Sequence, residues 1–240
     1  MADPTPDPLE VAAATRPEAP AVVVADVGGA RPSVTTNAEL EASVNRLVHG
    51  LRDVVRPGER LVWCGPNSLE VLTIIAAARK LRAVAVPLSY RFSAEEMTYV
   101  VENSDAVCVL ADAEYAPLLA DAAESCPKVR SWIVFDATDG APEPPPGFRR
   151  LAAVVADQPD TPAAIEDVSD PGSAMIYTSG TTGKPKGAVR RGNDPTLVAT
   201  MLTELDYFHA DGVHITTGPL YHSGPLASRR WRPGSATRWW

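Results

Sequence analysis

Eleven residues hold most of the chemistry legible in this chain. Tyr177-Thr178-Ser179-Gly180-Thr181-Thr182-Gly183-Lys184-Pro185-Lys186-Gly187 contains three glycines, four Ser or Thr hydroxyls and two lysines. Glycines let a backbone turn tightly and bring its N–H groups close to a ligand. Hydroxyls add donors and lysines add positive charge, and together these suit a polyphosphate. The runs on either side, Ser173 to Tyr177 and Gly187 to Val189, read as short strands, so the stretch is a polar loop between two strands. Gly, Ser and Thr also build ordinary turns that bind nothing. A Walker A loop is excluded by spacing: Thr178 stands where its first glycine belongs, and Pro185 follows Lys184 in place of Ser or Thr.

A second polar stretch, Ile215-Thr216-Thr217-Gly218-Pro219-Leu220-Tyr221-His222-Ser223-Gly224-Pro225, offers an imidazole among apolar and turn residues. A lone histidine is more often structural than functional, and His49, His209 and His214 read as surface or packing residues. Cys64, Cys108 and Cys126 are odd in number and lack metal-type spacing, which fits reduced thiols in a cytoplasmic protein. No His/Cys grouping points to zinc.

The elements that must position these groups alternate between strand and helix. Ala21 to Val24 is strand-like. Thr36-x-x-Glu39 is a capping-box pattern, and behind it Leu40, Val44, Leu47, Val48 and Leu51 fall on one helical face. Pro57-Gly58 turns the chain into a strand, Arg60 to Cys64. Asn67 is placed to cap a helix whose Leu69 to Ile75 region is apolar nearly all round, and which is therefore expected to be buried. A strand over Ala83 to Val86, a helix capped by Ser93-x-x-Glu96 and ending near Asn103, a strand over Ala106 to Leu110, a helix over Asp112 to Ser125 and a strand over Arg130 to Phe135 follow. Phe148 to Ala156 and Thr196 to Tyr207 are further helical candidates. The alternation predicts an α/β fold, a layered parallel-type sheet with helices on both faces. Asn67, Arg91 and Glu96 are read as structural.

The expected organisation is a flexible arm over 1–20, an α/β scaffold over 21–172, the phosphate loop and the start of a second subdomain over 173–227, and an Arg/Trp tail over 228–240. Proline-rich surface connections are expected over 137–147 and 158–172, and no internal repeat is visible. The chain of 240 residues is 45% hydrophobic and 22% charged, as globular proteins are. Its net charge of −8 argues against nucleic-acid binding. The longest apolar run, Val71 to Ala78, is too short to span a bilayer. The first ten residues match neither a secretory signal nor a transit peptide.

The run from Tyr177 to Gly187 closely resembles the phosphate-binding signature of the AMP-forming adenylating enzymes (acyl-CoA synthetases, peptide-synthetase adenylation domains and luciferases), Tyr/Phe-Thr-Ser-Gly-Thr/Ser-Thr-Gly-x-Pro-Lys-Gly. The order Pro-Gly-Glu-Arg, strand, Pro-Asn-Ser, buried helix, Ala-Val-Ala-Val-Pro-Leu, Ser-x-Glu-Glu is similar to the amino-terminal half of acyl-CoA synthetases. The resemblance implies a two-step reaction: a carboxylate attacks the α-phosphate of ATP, and a thiol, usually of CoA, then displaces AMP. It implies that Thr178, Ser179, Gly180, Thr181, Thr182, Gly183, Lys184, Lys186 and Gly187 bind the nucleotide, with Mg2+ bridging its phosphates. It makes Pro-Leu-Tyr-His-x-Gly a second family motif, whose histidine, the candidate catalytic His222, lies near the acyl carboxylate. A fatty acid, ATP and CoA are the expected partners, in lipid metabolism, without nucleic acid; peripheral membrane contact is compatible with this reading.

Beyond Ala227 the pattern departs from the family. Ser228 to Trp240 carries four arginines and three of the five tryptophans, without an acid or a helical or strand periodicity. Such text is what a GC-rich gene yields in a wrong reading frame; the alternative is a genuine basic-aromatic tail for a membrane surface or partner. The Thr-Glu pair, ribose-binding aspartate and carboxy-terminal lysine that the resemblance implies have no match here, so the metal ligands stay unassigned and a carboxy-terminal domain is read as absent. The expectation is a truncated ligase, inactive alone and poorly ordered after Gly192. Alternatives are a non-catalytic or nucleotide-binding remnant and a carrier-protein adenylation domain.

Overall fold

The computed structural model describes residues 7–24, 32–135, 142–165, 174–178, 185–190, 200, 214–216, 218–224, 226 and 237–239. In chain order its elements are α1 (Pro8–Thr15), β1 (Pro20–Val24), β2 (Ser33–Thr36), α2 (Asn37–Leu51), β3 (Arg60–Cys64), α3 (Leu69–Lys80), β4 (Val84–Leu88), α4 (Ala94–Asn103), β5 (Ala106–Asp112), a 3-10 turn (Ala116–Leu119), α5 (Ala120–Ser125), β6 (Ser131–Phe135), β7 (Phe148–Arg150), α6 (Leu151–Val155), β8 (Ala174–Thr178), β9 (Lys186–Arg190), β10 (His214–Thr216) and β11 (Thr237–Trp239). They fall into two compact units: Asn45–Arg191, and Met1–Val44 together with Gly192–Trp240.

The contiguous unit is built on a seven-stranded sheet in the order β7-β6-β5-β3-β4-β8-β9. The pairs from β7 through β8 are parallel, and β8 with β9 forms an antiparallel hairpin. Parallel neighbours need crossover connections, whose helices cover the sheet, so such strands are apolar on both faces. Accordingly β4, β5 and β6 are buried at every position. Helix α3 is buried without a break from Val71 to Ala78, as its all-round apolar sequence requires. One cluster of the core joins Val62, Val86, Met97, Val100, Val109 and Val134.

The capping signals act where expected, with one shift. In α4, Ser93 Oγ accepts from Glu96 N–H at 3.3 Å and Glu96 Oε2 accepts from Ser93 N–H at 2.8 Å. Thr36 and Glu39 exchange the same two bonds at the start of α2. For α3 the cap is Ser68, not Asn67: Ser68 Oγ accepts from Val71 N–H at 3.2 Å. The first helical residue is Leu69, so Ser68 alone stands where a side chain reaches the third helical amide.

Three other local expectations are corrected. The helix expected over 112–125 is a strand end, a turn and a short helix. Asp112 closes β5, its Oδ1 accepts from Glu114 N–H at 2.9 Å, and its carbonyl accepts from Tyr115 N–H at 2.9 Å. Pro117, with no N–H to donate, then sits in the 3-10 turn, and α-helix begins only at Ala120. Within Phe148 to Ala156 the first three residues pair with β6 as β7, and α6 takes the rest. Residues 8–15, expected within a loose arm, form α1, with Pro8 at its start and Asp7 Oδ1 accepting from Leu9 N–H at 2.9 Å. Of the helix expected over 196–207, only residue 200 is among the described residues.

The other unit carries a four-stranded sheet in the order β10-β11-β1-β2. β11 runs parallel to both β1 and β10, and β1 is antiparallel to β2. Thr237–Trp239 thus form a strand inside a tail without strand periodicity. Main-chain hydrogen bonds need no side-chain alternation, and a three-residue strand flanked on both sides can rest on them alone.

A Cβ placed on Gly50 would lie 2.7 Å from the Val154 carbonyl oxygen and 2.9 Å from Val154 Cγ1. Alanine favours a helix by about 1 kcal/mol over glycine, but overpacking against a backbone atom costs about 1–3 kcal/mol. Gly50→Ala is therefore expected to lower the urea midpoint. Asp105, at φ +52° after α4, forms ion pairs with Lys128 and Arg60. The hydrogen bond from Lys128, and then its charge and that of Arg60, hold the Asp105 carboxyl below its ordinary value. A lowered native value means stability that is present at neutral pH and lost as pH falls through the ordinary aspartate range toward the native value. Because Asp105 is half exposed, solvent screening keeps the effect small. Asp105→Asn is expected to flatten the acid limb of the stability curve slightly, read by denaturant titration at a series of pH values.

Candidate nucleotide site

The expected polar loop is the connection of the β8–β9 hairpin. Thr178 pairs with Lys186 at its base, and Tyr177 pairs with Gly187 one step further in. Cross-strand partners project to the same face, so the exposed Thr178 and Lys186 stand side by side where the loop begins and ends. Ser179, Gly180, Thr181, Thr182, Gly183 and Lys184 lie outside the described residues. The hairpin brings together a hydroxyl and an ammonium group, the donor types that an anionic phosphate accepts.

Gly187 belongs to a strand and has a packing reason of its own. A Cβ there would meet Met175 Cε at 2.4 Å and Tyr177 Cζ at 2.8 Å. Its bare backbone makes room for the Tyr177 ring, which packs with Met175 against the core. Tyr177 Oη donates to Asn103 Oδ1 at 2.8 Å, joining β8 to the end of α4. Burial, with smaller contributions from Tyr99 and Asp105, pushes the Tyr177 phenol up to about 12, so near neutral pH it keeps its proton and donates. Asn103 lies 74 residues before Tyr177 and entered the sequence reading only as a helix end.

His222 belongs to the other unit and sits in a tight turn. Its N–H donates to the Pro219 carbonyl at 3.1 Å, and its own carbonyl accepts from Leu226 N–H at 3.1 Å. Leu220, Tyr221 and Leu226 are buried while His222 is exposed, its ring tilted over that of Tyr221 at 4.4 Å between centroids. Three buried apolar neighbours thus anchor a turn that presents the imidazole outward.

The ring of His49 contacts the Thr161 carbonyl at 2.9 Å, which is a packing role. Glu96 is half of a capping box and Arg91 is exposed. All three cysteines are free and buried. Burial pushes the Cys64 and Cys108 thiols up to about 12 and raises Cys126 as well, the reverse of what a nucleophilic thiol needs. Among the described residues no group of three or more His, Cys, Asp or Glu is placed to hold a metal ion, so none is assigned to Mg2+. Among them, too, no helix is long and apolar enough to cross a membrane.

The family model described as AMP-binding enzyme matches residues 9–228. The chain is 34% identical over 161 residues to the 3-oxocholest-4-en-26-oate–CoA ligase of Rhodococcus rhodochrous, covering 66% of this chain and 29% of that protein. It is 33% identical over 194 residues to a feruloyl-CoA synthase of an Amycolatopsis species, covering 80% of this chain and 35% of that one. It spans about a third of the length of these relatives. Its fold is like that of a fatty acyl CoA synthetase of Mycobacterium tuberculosis, with a TM-score of 0.74 at 23% identity, over 97% of this chain and 44% of that one. The family match runs through the mostly parallel sheet, the hairpin with its phosphate-loop sequence and the His222 turn, and this chain belongs to the AMP-binding enzyme family.

Proposed function

We propose that this sequence serves an acid–thiol ligase that activates a carboxylic acid with ATP and transfers the acyl group to CoA. The observation that carries the reading is the β8–β9 hairpin, which sets Thr178 and Lys186 side by side at the two ends of a loop of Ser, Thr, Gly and Lys. In the first step a carboxylate oxygen bonds to the α-phosphorus while the bond to the departing pyrophosphate breaks. Negative charge grows on the leaving oxygen, and donors already aimed at that place stabilise it. Thr178, Ser179, Thr181 and Thr182 supply hydroxyl donors, Gly180, Gly183 and Gly187 allow close backbone approach, and Lys184 and Lys186 supply positive charge. His222 lies by the acyl carboxylate and orients it. In the second step the thiol sulfur bonds to the acyl carbon and AMP leaves. Mg2+, when bound with ATP, neutralises phosphate charge.

Fatty acids, the class expected from the resemblance, stand first among the proposed acids. Steroid and feruloyl-type acids belong in the same panel, because the two relatives above are named for them. The three buried free thiols suit a reducing compartment such as the cytoplasm.

ATP–pyrophosphate exchange with that panel tests the reading, beside calorimetric titration of ATP with Mg2+. Exchange with one acid class and thioester formation with CoA are expected of the ligase that this sequence serves. Binding without exchange would leave a nucleotide-binding remnant, and acyl transfer to a carrier-protein thiol in place of CoA would make this an adenylation domain. Lys184→Ala and Lys186→Ala are each expected to weaken ATP binding about tenfold to hundredfold, the range for a hydrogen bond to a charged group. His222→Ala is expected to raise the KM for the acid while leaving that for ATP nearly unchanged, and equal effects on both would remove it from the acid site.

A further inference from the structure

We infer that Asn103 is a positioning residue for the nucleotide loop, acting through its hydrogen bond from Tyr177; this rests on the nucleotide-binding reading above. β8 and β9 share five register pairs, from Ala174 with Arg190 to Thr178 with Lys186. Among the described residues β8 is joined to β4 by one, Ala85 with Ala174, at the end of β8 away from the loop. The loop end of β8 therefore lacks the regular ladder that fixes β3, β4, β5 and β6 to one another. Beside Met175 and the buried Ile176, the Tyr177 side chain ties it inward. Its ring packs on the core and its Oη reaches Asn103 Oδ1 at 2.8 Å. Asn103 is the last residue of α4, whose Met97, Val100 and Val101 are buried. The tie thus runs from a rigid helix to the residue immediately before Thr178. Gly187, directly across from Tyr177, gives the ring its path.

The test compares wild type with Tyr177→Phe, Asn103→Ala, Asn103→Asp and the double variant Tyr177→Phe/Asn103→Ala, all at a temperature where each is fully folded. Phe keeps the packing, and Asp keeps an acceptor oxygen. Two quantities are read: affinity for ATP with Mg2+ by calorimetry, and hydrogen exchange of the Thr178 and Lys186 amides. Tyr177→Phe and Asn103→Ala are each expected to weaken ATP binding about two- to tenfold, the range for one neutral hydrogen bond. The double variant is expected to be no worse than either single one, as for partners in one interaction. Asn103→Asp is expected to restore binding, which a purely structural role of the α4 end would not produce. Unchanged affinity in Tyr177→Phe, or additive losses in the double variant, would overturn the inference. If wild type binds no ATP, the functional reading fails, and exchange then decides the inference separately. Faster exchange at Thr178 and Lys186 in Tyr177→Phe and Asn103→Ala alike supports it, and unchanged exchange overturns it.

Discussion

Among the described residues, the hairpin that carries the polar loop is joined to the rest of its sheet by one register pair, Ala85 with Ala174. How the candidate nucleotide site is held depends on what supplements that pair. A phosphate cradle works only if its donors are held where charge will appear, because donors that must reorganise lose much of their electrostatic advantage. Here the reinforcement comes from side chains. The Tyr177 ring lies against the core, its hydroxyl meets Asn103, and Gly187 leaves the space that the ring occupies.

Rigidity behind the junction comes from the parallel strands. β3, β4, β5 and β6 are joined by five register pairs at each junction, with one shift between Arg60 and Leu61 against β5, and α3 is buried along eight consecutive residues. Close-packed interiors of this kind transmit displacement instead of absorbing it. At the edge of this rigid body, β9 has Lys186 to Val189 exposed and β8 places Thr178 in solvent. One hairpin thus combines a fixed base with accessible polar groups. The His222 turn follows a similar rule on a smaller scale, with Leu220, Tyr221 and Leu226 buried beneath an exposed imidazole.

Much of this was legible in the residues. Continuous apolar runs announced the buried parallel strands, and α3 was readable because its apolar residues leave no polar face. The pairs Thr36/Glu39 and Ser93/Glu96 marked two helix starts through local hydrogen bonds. Features set by tertiary context were harder to read. β5 continues to Asp112 because its neighbour β6 continues beside it, with Asp112 paired to Phe135. The Tyr177–Asn103 bond joins residues 74 apart, and no spacing rule connects them. Gly187 was readable as a position needing glycine, but not the reason: it looked like room for a ligand, and the structure also fills that room with Tyr177. β11 was invisible because a strand held on both sides by main chain leaves no mark in side-chain pattern.

The two sheets differ in how their strands lie along the chain. All seven strands of the larger sheet come from one contiguous stretch, Asn45–Arg191. In the smaller sheet, β1 at Pro20–Val24 must wait for β11 at Thr237–Trp239. A growing polypeptide therefore has the whole of the contiguous unit available before the first strand of the other sheet has its parallel partner. Closing so long a loop is entropically slow. During synthesis β1 has β2 beside it on one side and an open hydrogen-bonding edge on the other, which is the geometry that invites pairing with a foreign strand. The nascent chain thus carries β1 with one open edge until Thr237–Trp239 has been made.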